Sequence, residues 1–246
     1  MMKRALLAAR MGFAWTAGAV ATVILGTTAM ILAFINPKMH LITLVMRVWG
    51  RVLLLLVGIR VDVEGAELLD PKGSYMVVCN HQSAIDPPLH LAYLPVSVRF
   101  LTKKELFKFP IFGQAMRAVG MVEIDRSAHG AAHRSINRQV ARVMDMEKSL
   151  IVYPEGTRTA DGHLRPFKKG AFRIAIDNGL PIVPLTLHKA FEIWPPKSRI
   201  CLGGRVKMVI HEPIPTEGLA GADLNDLSDR ARSVIGGTLA RLQAGA

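Results

Sequence analysis

The first 60 residues contain no Asp or Glu, although they carry seven of the chain's 31 Lys and Arg side chains. The remaining residues hold 24 basic and 19 acidic side chains, so the net charge of +12 is concentrated near the N-terminus. Basic charge on an apolar segment indicates contact with anionic lipid more than with nucleic acid. Only 6% of the residues are aromatic and no nucleic-acid-binding module is recognisable, so we expect no nucleic-acid partner.

Several common chemical motifs are also missing. The chain has two cysteines, Cys79 and Cys201, and no CxxC pair, which predicts two buried reduced thiols and requires no oxidising compartment. Neither GxxxxGK[ST] nor GxGxxG is present, so nucleotide binding has no support. No GxSxG nucleophile elbow occurs, which leaves a serine hydrolase mechanism without its nucleophile.

The first long apolar stretch, residues 11–36, contains no charged side chain. As one helix rising about 1.5 Å per residue, it is long enough to cross a bilayer core of roughly 30 Å. A secretory signal peptide is the alternative interpretation, but the apolar part of such a peptide spans only about 7–15 residues. We therefore expect a retained membrane anchor.

A second apolar stretch, residues 41–59, contains Arg47 and Arg51 four positions apart, on one face of a helix. Two arginines are costly at the bilayer centre, so this helix suits the membrane interface, with its arginines toward lipid phosphates. We predict that residues 1–59 form a two-helix membrane motif. Basic residues flank the first helix on both sides, which leaves open whether it spans the bilayer; two ordinary core helices are the weaker alternative.

Residues 60–246 alternate between strand and helix patterns and predict one catalytic domain of the α/β class, with a largely parallel sheet flanked by helices. The predicted strands are residues 60–65, 74–79, 98–101, 120–124, 149–153, 181–187 and 205–210. The predicted helices are residues 87–94, roughly 103–118, 129–147, 168–178 and 225–242.

Three polar clusters each follow a predicted strand: "NHQSAID" at residues 80–86, Asp125 with Arg126, and "PEGTR" at residues 154–158. Ligands of open α/β sheets bind at the carboxyl ends of the strands. The clusters therefore predict an active site at one edge of the sheet.

His81 and Asp86 stand five positions apart within the first cluster. If the loop between them folds back, the carboxylate bonds one imidazole nitrogen and leaves the other free as a general base. This is the arrangement of the histidine and aspartate of a serine protease triad. The missing hydroxyl is then supplied by an acceptor alcohol, without a covalent enzyme intermediate. A structural loop histidine capped by Asp86 is an equally good interpretation of the spacing alone.

The other two clusters predict anion binding. Arg126 and Arg158 are able to hold a phosphate, and Gly156 allows the backbone to come close. The alternative is a surface ion pair between Glu155 and Arg158. Positive charge at Lys103 and Lys104 either adds to this site or marks a solvated start of a helix.

The order of the motifs resembles the glycerolipid acyltransferase family, and within it the branch that acylates lysophosphatidic acid. The motifs are "NHQSAID", "TKKELFKFPIFGQAMRAVGMVEIDR", "VYPEGTR", "FKKG" and "IVPL", in that order. The resemblance covers roughly residues 60–215, and the two-helix motif also agrees with it. It implies a glycerol-3-phosphate acyltransferase-like fold with His81 as the general base and Asp86 as its orienting partner. The substrate-binding residues that it implies are Lys103 (or Lys104), Arg126, Glu155, Gly156, Thr157 and Arg158.

The activity implied by the resemblance is transfer of an acyl chain to the sn-2 hydroxyl of 1-acyl-sn-glycerol-3-phosphate, which makes phosphatidic acid. Acyl-CoA or acyl carrier protein is the expected co-substrate, and we expect no metal or other cofactor. The expected location is the inner, cytoplasmic membrane, with the catalytic domain facing the cytoplasm. The alternatives are another acceptor (glycerol-3-phosphate, another lysophospholipid or a lyso-ornithine lipid) or a catalytically inactive lipid-binding protein.

Overall fold

A computed structural model describes residues 2–109, 112–124 and 131–245. Within these ranges the strands are β1 (Ile59–Glu64), β2 (Met76–Cys79), β3 (Val98–Lys103), β4 (Val122–Ile124), β5 (Ser149–Val152), β6 (Ile182–His188) and β7 (Gly204–Ile210). The α-helices of the same ranges are α1 (Met2–Ile35), α2 (His40–Leu56), α3 (Asp86–Tyr93), α4 (Phe112–Ala118), α5 (Ala131–Asp145), α6 (Gly170–Asp177), α7 (Ala190–Ile193) and α8 (Leu224–Ala244).

The strands form one sheet in the order β1-β7-β6-β2-β5-β3-β4. Every neighbouring pair is parallel except β6 and β7, which are antiparallel. The predicted mixed, largely parallel sheet is therefore confirmed, and each predicted strand overlaps a strand of the structure. Helix α7 was not predicted.

The central strands are covered on both faces, which explains why they appear as continuous apolar runs rather than alternating patterns. Successive side chains of β2 point to opposite faces of the sheet. Val77 and Cys79 belong to a hydrophobic cluster that also contains Leu54 of α2 and Leu89 of α3. The other two β2 side chains belong to a second cluster, with residues of α5, α6 and α8.

The N-terminal helices pack on the first of these faces. Helix α2 lies so close to α3 that a Cβ on Gly50 would stand 2.6 Å from the carbonyl oxygen of Pro88. Helix α1 packs on α2 and α4, and the indole N–H of Trp49 donates to the hydroxyl of Thr22 at 3.0 Å. Residues of α1 and α2 thus share a hydrophobic core with the sheet. The division of the chain at residue 59 stays a prediction.

Among the described residues, one segment has the length and composition of a membrane span: Ala9–Ile35 in α1, with a mean hydropathy of 2.1. Only 17% of its most apolar 18-residue stretch is buried within the protein. Large apolar side chains, including Phe13, Val23 and Phe34, are more than half exposed on it. The apolar first helix is therefore present. Helix α2 is not long and apolar enough to cross a membrane, so the two-helix membrane motif is not confirmed.

Arg47 differs from its prediction. Its guanidinium donates to the backbone carbonyl oxygens of Leu94 and Pro95, at 3.2 and 2.9 Å, instead of pointing freely toward a lipid surface. The physical reason is that this face of α2 packs against α3, and Leu94 and Pro95 lie just past the end of α3, where carbonyl groups have no partner within the helix. Arg51, by contrast, is exposed and lies over the ring of Tyr93 at 6.0 Å.

The single helix predicted over residues 103–118 is also wrong. The structure has a 3-10 helix at Lys104–Lys108, after which Phe109 is extended, with φ of −67° and ψ of 124°. Phe109 precedes Pro110 in the sequence, and the residue before a proline is disfavoured in the helical region. Helix α4 begins only at Phe112.

Candidate active site

The loops after β2 and β5 lie next to each other because these strands are adjacent and parallel. The predicted convergence of "NHQSAID" and "PEGTR" at one edge of the sheet is therefore confirmed. Strand β4 ends at the same edge, since β4, β3 and β5 are mutually parallel. Arg126, the residue predicted to follow it as a phosphate ligand, lies outside the described residues, as does Asp125.

The predicted hydrogen bond between His81 and Asp86 is present. The Nδ1 atom of His81 lies 2.7 Å from Oδ2 of Asp86. The same oxygen accepts the backbone N–H groups of Gln82 at 2.7 Å and Ser83 at 2.9 Å. Asp86 is fully buried at the start of α3, while His81 remains partly exposed. The fold thus fixes one ring nitrogen of His81 and leaves Nε2 for other chemistry.

The main chain of His81 is held by the loop after β5. Its N–H donates to Oε1 of Glu155 at 2.7 Å, and its carbonyl oxygen accepts the N–H of Thr159 at 2.9 Å. The second oxygen of Glu155 accepts the backbone N–H of Arg165 at 2.9 Å. Burial raises the pKa of Glu155, against the opposing effect of the two N–H donors.

Glu155 therefore differs from its sequence-based prediction. Its buried carboxylate joins two loops, and the residue does not line the cavity described below. It also forms no ion pair with Arg158, which was the alternative interpretation. A motif shows that a carboxylate is present but not which way it points.

Two further residues that sequence reasoning did not single out anchor the loop that carries His81. The side-chain amide of Asn80 donates to the carbonyl oxygen of Leu187 at 2.9 Å and accepts the N–H of Leu187 at 2.8 Å. The hydroxyl of Ser83 donates to the carbonyl oxygen of Trp194 at 2.7 Å. The sequence signal that could have identified Asn80 and Ser83 is their position inside the "NHQSAID" cluster.

His81 lines a cavity of about 1150 Å³ that extends from the sheet edge to α1. Toward α1 the lining is mostly apolar and includes Val23, Ala29, Met46, Leu91, Met116 and Val119. Near the carboxyl edge of the sheet the lining includes Lys103, Gly156, Thr157 and Arg158. Three of these, Lys103, Thr157 and Arg158, are exposed, and the exposed Glu105 also lines the cavity, so these four side chains form a polar rim on a mostly apolar space.

Lys104, the alternative to Lys103, does not line this cavity. Gly156 has a φ of +78°, a conformation that favours glycine. A Cβ at Gly156 would stand 3.0 Å from Nζ of Lys168, which brings a further ammonium group close to the "EGTR" segment. Lys168 belongs to the "FKKG" motif, for whose residues we predicted no individual role.

A layer of polar side chains lies behind His81, in which Cys79 and His90 are buried and Tyr153 is half-buried. The ring of Tyr153 stacks on the imidazole, with centroids 3.8 Å apart and planes inclined by 9°. The Tyr153 hydroxyl lies 3.1 Å from Nδ1 of His90, and Nε2 of His90 lies 3.4 Å from Sγ of Cys79. Burial lowers the pKa of His90 from 6.5 to about 4 and raises the pKa of both Tyr153 and Cys79. These groups are therefore neutral at physiological pH.

Both cysteines are buried free thiols, as predicted. In the part of the chain that the structure describes, no three His, Cys, Asp or Glu side chains come together as a metal site. The expectation that no metal is required stays a prediction.

Comparison with known proteins shows to which family this chain belongs. The family model described as "Acyltransferase" matches residues 60–188, which contain the loops after β2 and β5 that form the site. The chain belongs to the acyltransferase family. Among curated acyltransferases, 1-acyl-sn-glycerol-3-phosphate acyltransferase alpha from Ovis aries is 36% identical over 177 residues, covering 72% of this chain and 62% of that protein.

Two further acyltransferases match a larger share of this chain. The 1-acyl-sn-glycerol-3-phosphate acyltransferase of Saccharomyces cerevisiae is 32% identical over 217 residues, 87% of this chain and 71% of the yeast protein. The crystal structure of a 1-acyl-sn-glycerophosphate acyltransferase from Thermotoga maritima superposes with a TM-score of 0.78 at 26% identity, over 99% of this chain and 97% of that one. The chain spans about three fifths of the length of the mammalian acyltransferases it matches.

Proposed function

We propose that this chain is an O-acyltransferase that transfers an acyl group from a thioester to the sn-2 hydroxyl of 1-acyl-sn-glycerol-3-phosphate, which forms phosphatidic acid. One observation carries the proposal: His81, bonded to Asp86, stands on the wall of a cavity that is apolar at one end and has Lys103 and Arg158 at its rim. The names of the similar proteins support the same substrate.

Lysophosphatidic acid is an amphiphile whose two ends match the two ends of this cavity. Its acyl chain suits the apolar lining toward α1, because burying apolar surface is favourable. Its phosphate suits Lys103 and Arg158 at the rim, with Arg126 as a further predicted ligand. A glycerol held between these ends lies at the level of His81.

The proposed reaction uses His81 as a general base. Nε2 removes the proton of the sn-2 hydroxyl while that oxygen attacks the thioester carbonyl carbon. Asp86 keeps Nδ1 protonated and stabilises the imidazolium that forms. The tetrahedral intermediate then collapses: the new C–O ester bond remains, the C–S bond breaks, and the proton passes from Nε2 to the leaving thiolate.

The remaining predicted site residues have supporting parts in this proposal. Glu155 holds the His81 loop against the Arg165 loop and does not touch the substrate. Gly156 allows the chain to turn at the cavity wall, and Thr157 offers a hydroxyl beside Arg158. The acyl group arrives on CoA or on acyl carrier protein, and no metal takes part.

The exposed apolar side of α1 supports a position at the bilayer, where both lipid substrate and product dissolve. We place the protein at the inner membrane with its catalytic domain on the cytoplasmic side. Membrane fractionation followed by protease treatment of spheroplasts and of inverted vesicles tests this placement. Cleavage of the catalytic domain in spheroplasts would reverse the proposed orientation.

The substrate is tested with purified protein in detergent. Lysophosphatidic acid, glycerol-3-phosphate and lysophosphatidylcholine are offered separately, each with palmitoyl and oleoyl thioesters of CoA and of acyl carrier protein. We expect acylation of lysophosphatidic acid, since glycerol-3-phosphate lacks the chain and lysophosphatidylcholine lacks the phosphate monoester. Preferred acylation of either other acceptor would redirect the proposal, and no acylation by any donor would overturn it.

A further inference from the structure

We propose that Tyr153 and His90 are positioning residues for His81: Tyr153 supports the face of the imidazole, and His90 holds Tyr153 in place. This inference rests on the proposed function of His81 as the general base. It concerns two side chains to which neither the motif pattern nor the proposed reaction gives a role.

The bond to Asp86 alone does not fix the plane of the imidazole. One hydrogen bond to Nδ1 leaves the ring free to tilt about the line that joins Nδ1 to Oδ2, which would move Nε2 away from the acceptor hydroxyl. The Tyr153 ring removes this freedom, because it lies nearly parallel to the imidazole at a centroid distance of 3.8 Å. An aromatic face also stabilises a cation placed over it, and His81 becomes a cation as it takes the proton.

The Tyr153 ring is itself fixed at its far end. Its hydroxyl lies 3.1 Å from Nδ1 of His90, which is fully buried. The fully buried Nδ1 of His90 would cost free energy without a partner, so this hydrogen bond favours one placement of the Tyr153 ring. His90 is satisfied on its other side by Cys79, at 3.4 Å from Nε2. Both nitrogens of the neutral His90 therefore have partners in either tautomer.

Asp86 and His90 belong to the same helix. They are four residues apart in α3, and residues at this spacing share one helical face. Helix α3 thus supplies the group that fixes the edge of the imidazole and the group that fixes, through Tyr153, its face. A single rigid element determines where Nε2 points, which is the requirement for an accurately placed base.

The test is a set of four variants assayed for phosphatidic acid formation from lysophosphatidic acid. Tyr153→Phe keeps the stacked ring and loses only the hydroxyl, and we expect kcat to fall roughly fivefold. His90→Leu removes the same hydrogen bond from the other side and has an equal expected effect. The double variant should then also lose roughly fivefold rather than the product of the two, because both changes remove one interaction. Tyr153→Leu removes the ring, and we expect roughly a thirtyfold loss of kcat.

The Michaelis constant for lysophosphatidic acid separates positioning from substrate binding, since Tyr153 also lines the cavity. We expect KM to change by no more than about twofold in all four variants. Tyr75→Phe is the matched control, because the Tyr75 hydroxyl accepts a backbone N–H from Asp70 at 3.2 Å at the opposite end of β2. It should leave kcat unchanged, while the melting temperature reports loss of fold in any variant.

The outcomes separate this inference from the function on which it rests. Wild-type protein that does not acylate lysophosphatidic acid contradicts the proposed function. Active wild-type protein with full kcat in Tyr153→Phe, His90→Leu and Tyr153→Leu overturns the positioning inference alone. Multiplicative losses in the double variant, or losses confined to KM, overturn it as well.

Discussion

The apolar end of the cavity is held by side-chain packing, whereas its polar end is held by hydrogen bonds between named atoms. Near α1 and α2, the contacts are mostly van der Waals contacts, with the Trp49–Thr22 bond and the bonds of Arg47 as cross-links. Around His81, by contrast, the backbone N–H, the backbone carbonyl, Nδ1 and the ring face each have a separate partner.

This difference predicts different tolerance to substitution. An apolar wall accepts changes of volume and changes only which chains fit, since dispersion contacts are numerous and weak. A hydrogen-bonded base loses its function when one partner is removed, because that partner fixes orientation as well as energy. The following changes test this contrast, beginning with the polar end.

Asp86→Asn should have the largest effect. The amide keeps the size of the carboxylate but removes its charge, so the imidazolium of His81 loses its stabilising partner. We expect kcat to fall about a thousandfold with little change in KM, by analogy with the loss of the aspartate in serine protease triads. Steady-state assay of the purified variant measures this. Asp62→Asn, at an exposed ion pair with Arg205, is the control and should retain full activity. A loss of less than about tenfold in Asp86→Asn would contradict the role of the pair.

The buried imidazole of His90, behind His81, should make the stability of the protein depend on pH. The unfolded chain protonates His90 near pH 6.5, whereas burial lowers the pKa of His90 to about 4 in the folded chain. The unfolded state therefore binds more protons in this window, and the free energy of unfolding falls by about 3 kcal/mol as pH drops from 6.5 to 4. Denaturant unfolding of His90→Leu across the same range should show a shallower fall. Parallel curves for the variant and the wild type would refute the assignment.

Arg158→Ala tests the rim of the cavity. Loss of charge-assisted hydrogen bonds to a phosphate should raise KM for lysophosphatidic acid by about thirtyfold and leave kcat nearly unchanged. Initial rates over a range of acceptor concentrations provide both constants. Arg173→Ala is the control, since Arg173 forms a surface ion pair with Asp177. Equal KM values for the two variants would remove Arg158 from the phosphate site.

Gly26→Leu tests the apolar end and should have the smallest effect on catalysis. Gly26 lines the cavity and an added Cβ meets nothing within 4 Å, so a larger side chain enters the cavity without displacing the fold. We expect kcat/KM for long-chain lysophosphatidic acid to fall about tenfold relative to a short-chain analogue, through loss of apolar contact area. Competition between the two acceptors measures the ratio. Gly12→Leu also meets nothing within 4 Å but does not line the cavity, and it should leave the ratio unchanged.

The sheet was predictable because strands buried on both faces leave continuous apolar runs, and strands of this kind align their carboxyl ends. The His81–Asp86 bond was predictable from a five-residue spacing on a turn into a helix. The break at Phe109 was visible in principle, since Pro110 follows it, but the helical pattern on both sides concealed it.

Other parts of the site depend on contacts between distant segments. Tyr153 and His90 are 63 positions apart, and no local pattern indicates that their side chains meet. The inward direction of Glu155 follows from the neighbouring β2 loop, and the bonds of Arg47 follow from the end of α3. The cavity forms only when α1, α2 and α4 pack around the sheet edge, so its shape is not present in any one motif.

The most direct test of His81 as the general base is the rate of phosphatidic acid formation by His81→Ala beside the wild-type protein, at saturating lysophosphatidic acid and acyl thioester. We expect active wild-type protein and a loss of about a thousandfold or more in the variant, with an unchanged melting temperature, because only the base is removed. Near-wild-type turnover by His81→Ala would contradict the claim that this histidine activates the acceptor hydroxyl.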